Sequence, residues 1–304
     1  MAVTLERSLH WPAPAKINLF LHITGRRPDG YHTLQTVFQF LDLCDFLDFE
    51  RRSDGFIRRI NDLPAVPEDQ DLIIRAARLL QAHSGCTAGV DIRLDKRLPV
   101  GGGIGGGSSD AATTLVALNE FWGLGLDPQA LSALGLKLGA DVPIFVHGHA
   151  AFAEGVGEVL TPVEPPQQWY VLVKPDCAVP TAAVFQDSDL TRNTPPITIR
   201  DFLDGAGHND CEAVVRRRFP KVAEALDWLN ARAPVRLTGT GACLFAACDS
   251  EARAHELVAE VPPPWQAYAV QAINRSPLVD RLERARVAAR MAEGEARASR
   301  AETD

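Results

Sequence analysis

Leu98-Pro99-Val100-Gly101-Gly102-Gly103-Ile104-Gly105-Gly106-Gly107-Ser108-Ser109-Asp110-Ala111-Ala112 packs six glycines into seven positions and follows them with two serines and an aspartate. A backbone this free of Cβ atoms can turn sharply and approach another object closely. Residues 90–94 before it read as a short strand. After it, Ala111, Leu115, Leu118 and Trp122 recur on one helical face, and Gly123 stops the run. The order is strand, glycine loop, helix. A run of backbone N–H groups leading into a helix start is an anion site, so this stretch predicts a grip on phosphate.

Known phosphate loops narrow the reading. A Walker loop needs G-x-x-x-x-G-K-[ST], and no Lys follows these glycines. Gly101-x-Gly103-x-x-Gly106 matches the dinucleotide string, but that site needs an acidic residue roughly twenty positions on, at the end of a second strand. Glu120 lies inside the helix and Asp127 just after it, so neither fits. A flexible linker does not suit a position between a strand and a well-patterned helix. A non-Walker phosphate loop remains.

At 304 residues the chain suits about two domains. Its composition, 46% hydrophobic and 23% charged, is that of a soluble globular protein. A net charge of −8 argues against broad binding to nucleic acid or anionic membrane. It leaves room for a local basic site. The six cysteines form no C-x-x-C pair, so the expectation is reduced, mostly buried thiols in a cytoplasmic protein. No signal-peptide run or membrane-span pattern is expected.

Residues 16–24 alternate as a strand, and Gly25-Arg26-Arg27-Pro28-Asp29-Gly30 is turn chemistry. Residues 31–50 suit further strands, and residues 72–83 a helix stopped by Gly85. A second helix is expected over 128–138. The Pro-rich stretch 160–168 marks a domain boundary. Beyond it, 169–173 reads as a strand, 211–231 as mostly helix, and 234–248 as strand, glycine turn, strand. The Ala-rich, charged tail 281–304 suggests a frayed, solvated helix.

Pro99 to Ser109 resembles the second motif of the GHMP kinase superfamily, P-x-G-x-G-L-G-[GS]-S-[SA]-A, with Ile104 in place of Leu. Pro12-Ala13-Pro14-Ala15-Lys16-Ile17-Asn18-Leu19 resembles its first motif, and Leu237-Thr238-Gly239-Thr240-Gly241-Ala242-Cys243 its third. Gly30-Tyr31-His32-x-Leu34, Phe38-Gln39 and Leu138-Gly139-Ala140-Asp141-Val142-Pro143 resemble one branch, whose acceptor is diphosphocytidyl-methylerythritol in the non-mevalonate isoprenoid pathway. The resemblance spans residues 11–280. It implies an α+β, two-lobed fold with mixed sheets and helices in each lobe and the active site in the cleft between. The lobes would be residues 1–160, carrying ATP, and 161–280. It also implies phosphorylation of the acceptor's 2-hydroxyl with ATP, and ATP chemistry brings the expectation of Mg2+.

The resemblance assigns Asp141 as base and Lys16 as its catalytic partner. A nearby ammonium makes a carboxylate a weak base toward an alcohol. Asp141 would then orient the hydroxyl and take its proton late, while Lys16 stabilises charge on the reacting oxygens. Without the motifs, Asp141 would be a capping residue and Lys16 a surface charge. Pro99, Gly101, Gly102, Gly103, Gly105, Gly106 and Gly107 would cradle the ATP phosphates. Ser108 and Ser109 would add hydroxyl or metal contacts, or cap the helix. Asn18 would bond substrate hydroxyls. Tyr31 and His32 would stack on the cytosine and read its edge, with Phe185 opposite or else in the core. Val156 would pass close to the diphosphocytidyl group, and Gly239, Thr240 and Gly241 would approach the substrate diphosphate, brace the loop or simply make a hairpin turn. Asp69-Gln70-Asp71-Leu72 stands where relatives carry D-N-L near the adenine. No magnesium ligand is assigned. The alternatives are another small-molecule kinase of the superfamily, or a catalytically silent nucleotide-binding protein on the same fold.

Overall fold

The β-branched and aromatic residues flanking the Gly30 turn build one long antiparallel hairpin in the computed structural model, which describes residues 6–28, 30–61 and 66–301. Asp29 of the expected turn and residues 302–304 of the tail lie outside the described residues. The hairpin joins β1 (Arg7–Arg26) to β2 (His32–Arg52). The strand expected at Lys16 thus begins nine residues earlier and runs through Pro12 and Pro14. Among the described strands β1 pairs with β2 alone, and its register shifts between Pro14 and Lys16. An edge position and a bulge are the two places where a strand tolerates proline.

The first lobe continues with β3 (Ile57–Arg59), α1 (Leu72–Ser84) and β4 (Gly89–Asp95). The Asp71 side chain caps α1 by accepting the Ile73 N–H at 2.9 Å, and Gly85 closes it at φ 68. Then come α2 (Gly106–Phe121), α3 (Pro128–Leu136), α4 (Val142–His147), β5 (Ala151–Glu154) and β6 (Val159–Pro162). The apolar stripe read for α2 understates it. Residues 109–119 of this helix are all buried, because Ala111, Ala112 and Ala117 let neighbours close in around it. Its core joins the four helices to the inner face of β1, β2 and β4.

The second lobe holds β7 (Trp169–Lys174), α5 (Thr181–Phe185), α6 (Ile199–Leu203), α7 (Glu212–Arg218), α8 (Pro220–Asn230), β8 (Val235–Leu237), β9 (Leu244–Cys248), α9 (Glu251–Glu260) and β10 (Gln266–Ile273). The helical stretch expected over 211–231 breaks at Phe219, and Pro220 takes the first position of the new helix. The strands of both lobes join into one ten-stranded sheet in the order β3-β4-β2-β10-β7-β9-β8, with β1 and β5 also on β2 and β6 on β5. The splice is β10. Most of it pairs with β7, while Ala272 and Ile273 pair with Leu41 and Phe40 of β2. A separate apolar cluster fills the seam, with Ile17, Leu98 and Ile104 from one lobe and Leu172, Cys243 and Phe245 from the other.

The final helix, α10 (Pro277–Ala301), is docked at its start, whereas residues 286–291 stand exposed as expected of a solvated tail. Leu278 enters the first lobe's core, and Leu282 and Ala285 pack against it. Arg281 donates to the Leu9 carbonyl at 3.0 Å and lies 4.3 Å from the Trp11 ring centroid. This i, i+4, i+7 stripe is narrow, and the surrounding charges hide it in the sequence. Cys44, Cys211, Cys243 and Cys248 are buried, Cys86 and Cys177 half-buried, and all six are free thiols, as expected.

Candidate active site

A cleft of about 1120 Å³ opens between the lobes. Typical small-molecule sites hold roughly 300–1,000 Å³, so it has room for two ligands in line. Of the residues expected at the site, Lys16, Asn18, Tyr31, His32, Pro99, Gly101, Gly102, Gly103, Gly105, Gly106, Gly107, Ser108, Asp141, Val156, Phe185, Gly239 and Thr240 line it. Ser109 and Gly241 do not.

At its centre β1 delivers Lys16, only 2% exposed. The ammonium donates to Asn18 Oδ1 at 2.7 Å and Gly103 O at 3.4 Å, and pairs with Asp141 Oδ2 at 3.2 Å. All three of its protons are therefore directed. Phe38 closes one side, its ring centroid 5.2 Å from Nζ. Asp141 occupies the N-cap position of α4 but makes no capping bond with its side chain. The carboxylate instead faces Lys16 and is partly open to the cleft. Asn18 lines the cleft and is also bonded within the protein. Its Oδ1 receives Lys16, its Nδ2 donates to Thr36 Oγ1 at 2.9 Å, and its backbone N–H donates to Thr238 Oγ1 at 2.9 Å. In this structure it orients Lys16.

The glycine loop is stitched to the opposite lobe. Ile104 is buried, an anchor worth about 1.5–3 kcal/mol, and its carbonyl accepts the Lys16 N–H at 3.0 Å. Gly102 O accepts the Cys243 N–H at 3.0 Å. Gly103 adopts φ +72, and a Cβ there would stand 2.7 Å from Gly241 O and 3.0 Å from Thr238 O. Gly241 thus braces the loop from behind. Gly103→Ala is expected to lower both thermal stability and affinity for ATP, since left-handed strain of roughly 1–2 kcal/mol adds to a backbone collision. A melting curve with an ATP titration checks this, and an unchanged Kd for ATP would refute the tight seam.

The N-cap of α2 is Gly105, so neither serine caps the helix. Ser108 lines the cleft, whereas Ser109, one helical step of rotation further, is fully buried with its hydroxyl unpartnered. Asp71 lines the cleft with Gln70 and Leu72, while its carboxylate caps α1 and pairs with Arg59 at 2.6 Å.

Sequence reading missed Lys96. It lines the cleft beside Gly106 and bridges two buried carboxylates, Asp45 at 2.6 Å and Asp110 at 2.8 Å. Burial, reinforced by neighbouring Asp45 and opposed by Lys96, lifts Asp110 to about 7. In the sequence, Asp95-Lys96-Arg97 reads as a solvated turn, and nothing local announces partners 51 and 14 residues away.

At the other end, the His32 and Phe185 rings stack with centroids 5.2 Å apart. Tyr31 stands beside them, 63% exposed, with Val156 on the same wall. Arg192, also missed, donates from Nε to His32 Nε2 at 3.1 Å and from Nη2 to Phe185 O at 2.9 Å. Burial, then the charges of Arg192 and Arg26, hold His32 below its ordinary range. Among the described residues, no three His, Cys, Asp or Glu side chains cluster as a metal site.

Residues 71–149 match the family described as GHMP kinases N terminal domain, and residues 193–266 match GHMP kinases C terminal. A 4-diphosphocytidyl-2-C-methyl-D-erythritol kinase of Alkalilimnicola ehrlichii is 58% identical over 275 residues, covering 90% of this chain and 94% of the relative. The kinase of the same name from Nitrosococcus oceani is 54% identical, covering 91% and 99%. A crystal structure of 4-(cytidine 5'-diphospho)-2C-methyl-D-erythritol kinase aligns at TM-score 0.76 and 33% identity, over 88% of this chain and 98% of that one. A mevalonate kinase structure aligns at TM-score 0.63 and 15% identity, over 88% and 100%, a likeness of fold alone.

Proposed function

Since the chain belongs to the GHMP kinases, we propose that it is a 4-diphosphocytidyl-2-C-methyl-D-erythritol kinase. It transfers the γ-phosphoryl group of ATP to the acceptor's 2-hydroxyl, giving the 2-phosphate and ADP for isoprenoid precursor synthesis. The observation that carries this reading is one continuous cleft. It has a glycine loop at one end, an aromatic and histidine wall at the other, and the Lys16–Asp141 pair between them.

Phosphoryl transfer asks the protein mainly for positioning and electrostatics. In this reading the glycine loop and the start of α2 hold the ATP phosphates. Asp141 receives the hydroxyl's hydrogen bond and takes the proton as the bond to phosphorus forms. Lys16, already held by Asn18, stabilises charge on the reacting oxygens. Its longest contact, 3.4 Å to Gly103 O, is the one that a phosphoryl oxygen replaces. Mg2+ binds through few protein oxygens and mainly through phosphates. The half-buried Ser108 hydroxyl, which lines the cleft, suits that need, and the ion would neutralise phosphate charge. Tyr31, His32 and Phe185 take the cytosine, with Val156, Gly239 and Thr240 along the diphosphate. We place the lobe boundary at residues 163–168, between β6 and β7, because residues 160–162 of the expected boundary belong to β6. The free thiols and the use of ATP support a cytoplasmic location.

The test is a coupled ADP-release assay on four acceptors: diphosphocytidyl-methylerythritol, mevalonate, homoserine and galactose. Turnover with the first alone is expected. Turnover with one of the others would reassign the substrate, and none with any would leave a silent nucleotide-binding protein.

A further inference from the structure

Arg192 holds the base-binding wall together from inside. Besides His32 Nε2 and Phe185 O, its guanidinium reaches Leu190 O at 3.0 Å and Asp187 O at 2.6 Å. One side chain therefore fixes the backbone behind the stacking ring and the imidazole in front of it. Carbonyls accept from any donor, so three of these bonds could be met by other groups. The fourth carries chemical information. A guanidinium N–H can only donate, so the His32 Nε2 that receives it must present a lone pair. A neutral imidazole has one ring proton, and it must then sit on Nδ1. Burial, then the charges of Arg192 and Arg26, disfavour the protonated imidazole, which agrees with that assignment.

We propose that Arg192 is a positioning residue that sets base selectivity by locking His32 as its Nδ1–H tautomer, a fixed donor toward the pyrimidine edge. The inference rests on the functional reading above, since it needs a pyrimidine in the cleft. Cytosine offers a lone pair at ring position N3, and uracil offers an N–H there. A fixed donor bonds to the first and opposes the second. Discrimination against a mispaired edge is strong because a buried polar group is left unpaired. A His32 able to choose its tautomer would tolerate both bases.

The test compares kcat/KM for diphosphocytidyl-methylerythritol and its diphosphouridyl counterpart. Wild type is expected to favour cytosine, and Arg192→Met to lose roughly 10- to 100-fold of that preference. His32→Asn should lose the same share, because its amide can flip to present either a donor or an acceptor. The double variant should then lose no more than either single one. If Arg192→Met slows both acceptors equally and leaves the ratio intact, the residue is merely structural and the proposal falls. Nitrogen-15 NMR of ligand-free wild type supplies a readout that needs no variant to fold. Protonated Nδ1 is expected, and protonated Nε2 overturns the proposal whatever the substrate. A wild type that phosphorylates neither acceptor overturns the functional reading and the selectivity with it. A wild type active on both without preference overturns the selectivity alone.

Discussion

Asp141→Asn is expected to cut turnover roughly 10²–10⁴-fold while changing KM for either substrate only modestly. The amide keeps the carboxylate's shape and can still meet Lys16, so the site's geometry survives. What it loses is the capacity to accept the hydroxyl proton. The fold should be indifferent, because the Asp141 side chain makes no capping bond to α4 and lies partly open. Steady-state kinetics with a melting curve separate the two effects. Near-normal turnover in a folded variant would take Asp141 out of the reaction.

Lys16→Met is the second large effect, roughly 10²–10³ in kcat, the usual loss when one preorganised charge-stabilising donor is removed. Methionine keeps a buried unbranched apolar stem of similar length, so packing is largely conserved. It leaves Asn18 Oδ1 and Asp141 without their donor. Because the two residues act as one unit, the double variant should be scarcely slower than the worse single variant. Full multiplication of the two losses would show that they act independently.

Legibility in the sequence followed the range of the interactions. Caps and breaks such as Gly85 act within a few residues, and they were readable as written. The start of β1 was not, because Pro12 and Pro14 argue against a strand unless the edge position and the bulge are known. Ser108 and Ser109 are adjacent in sequence, and only the phase of α2 decides which one faces the cleft. Lys16 and Asp141 were legible through motifs, since neither carries a local signal. Lys96 and Arg192 belong to no pattern of spacing. Arg192 meets His32 across 160 residues of chain, and Lys96 looks like any charged turn residue until its two buried carboxylates appear.

The interlock of Gly102 and Gly103 with residues 238–243 bears on how such proteins can be recombined. Each lobe supplies half of a backbone joint with no side chain to adjust: a carbonyl for an amide, and a gap for a carbonyl. A chimera cut at the connection 163–168 would separate the halves of this joint and unite glycine segments that never fitted each other. Grafts that carry residues 98–110 and 237–243 together from one parent should therefore yield active hybrids more often than grafts that follow the visible linker.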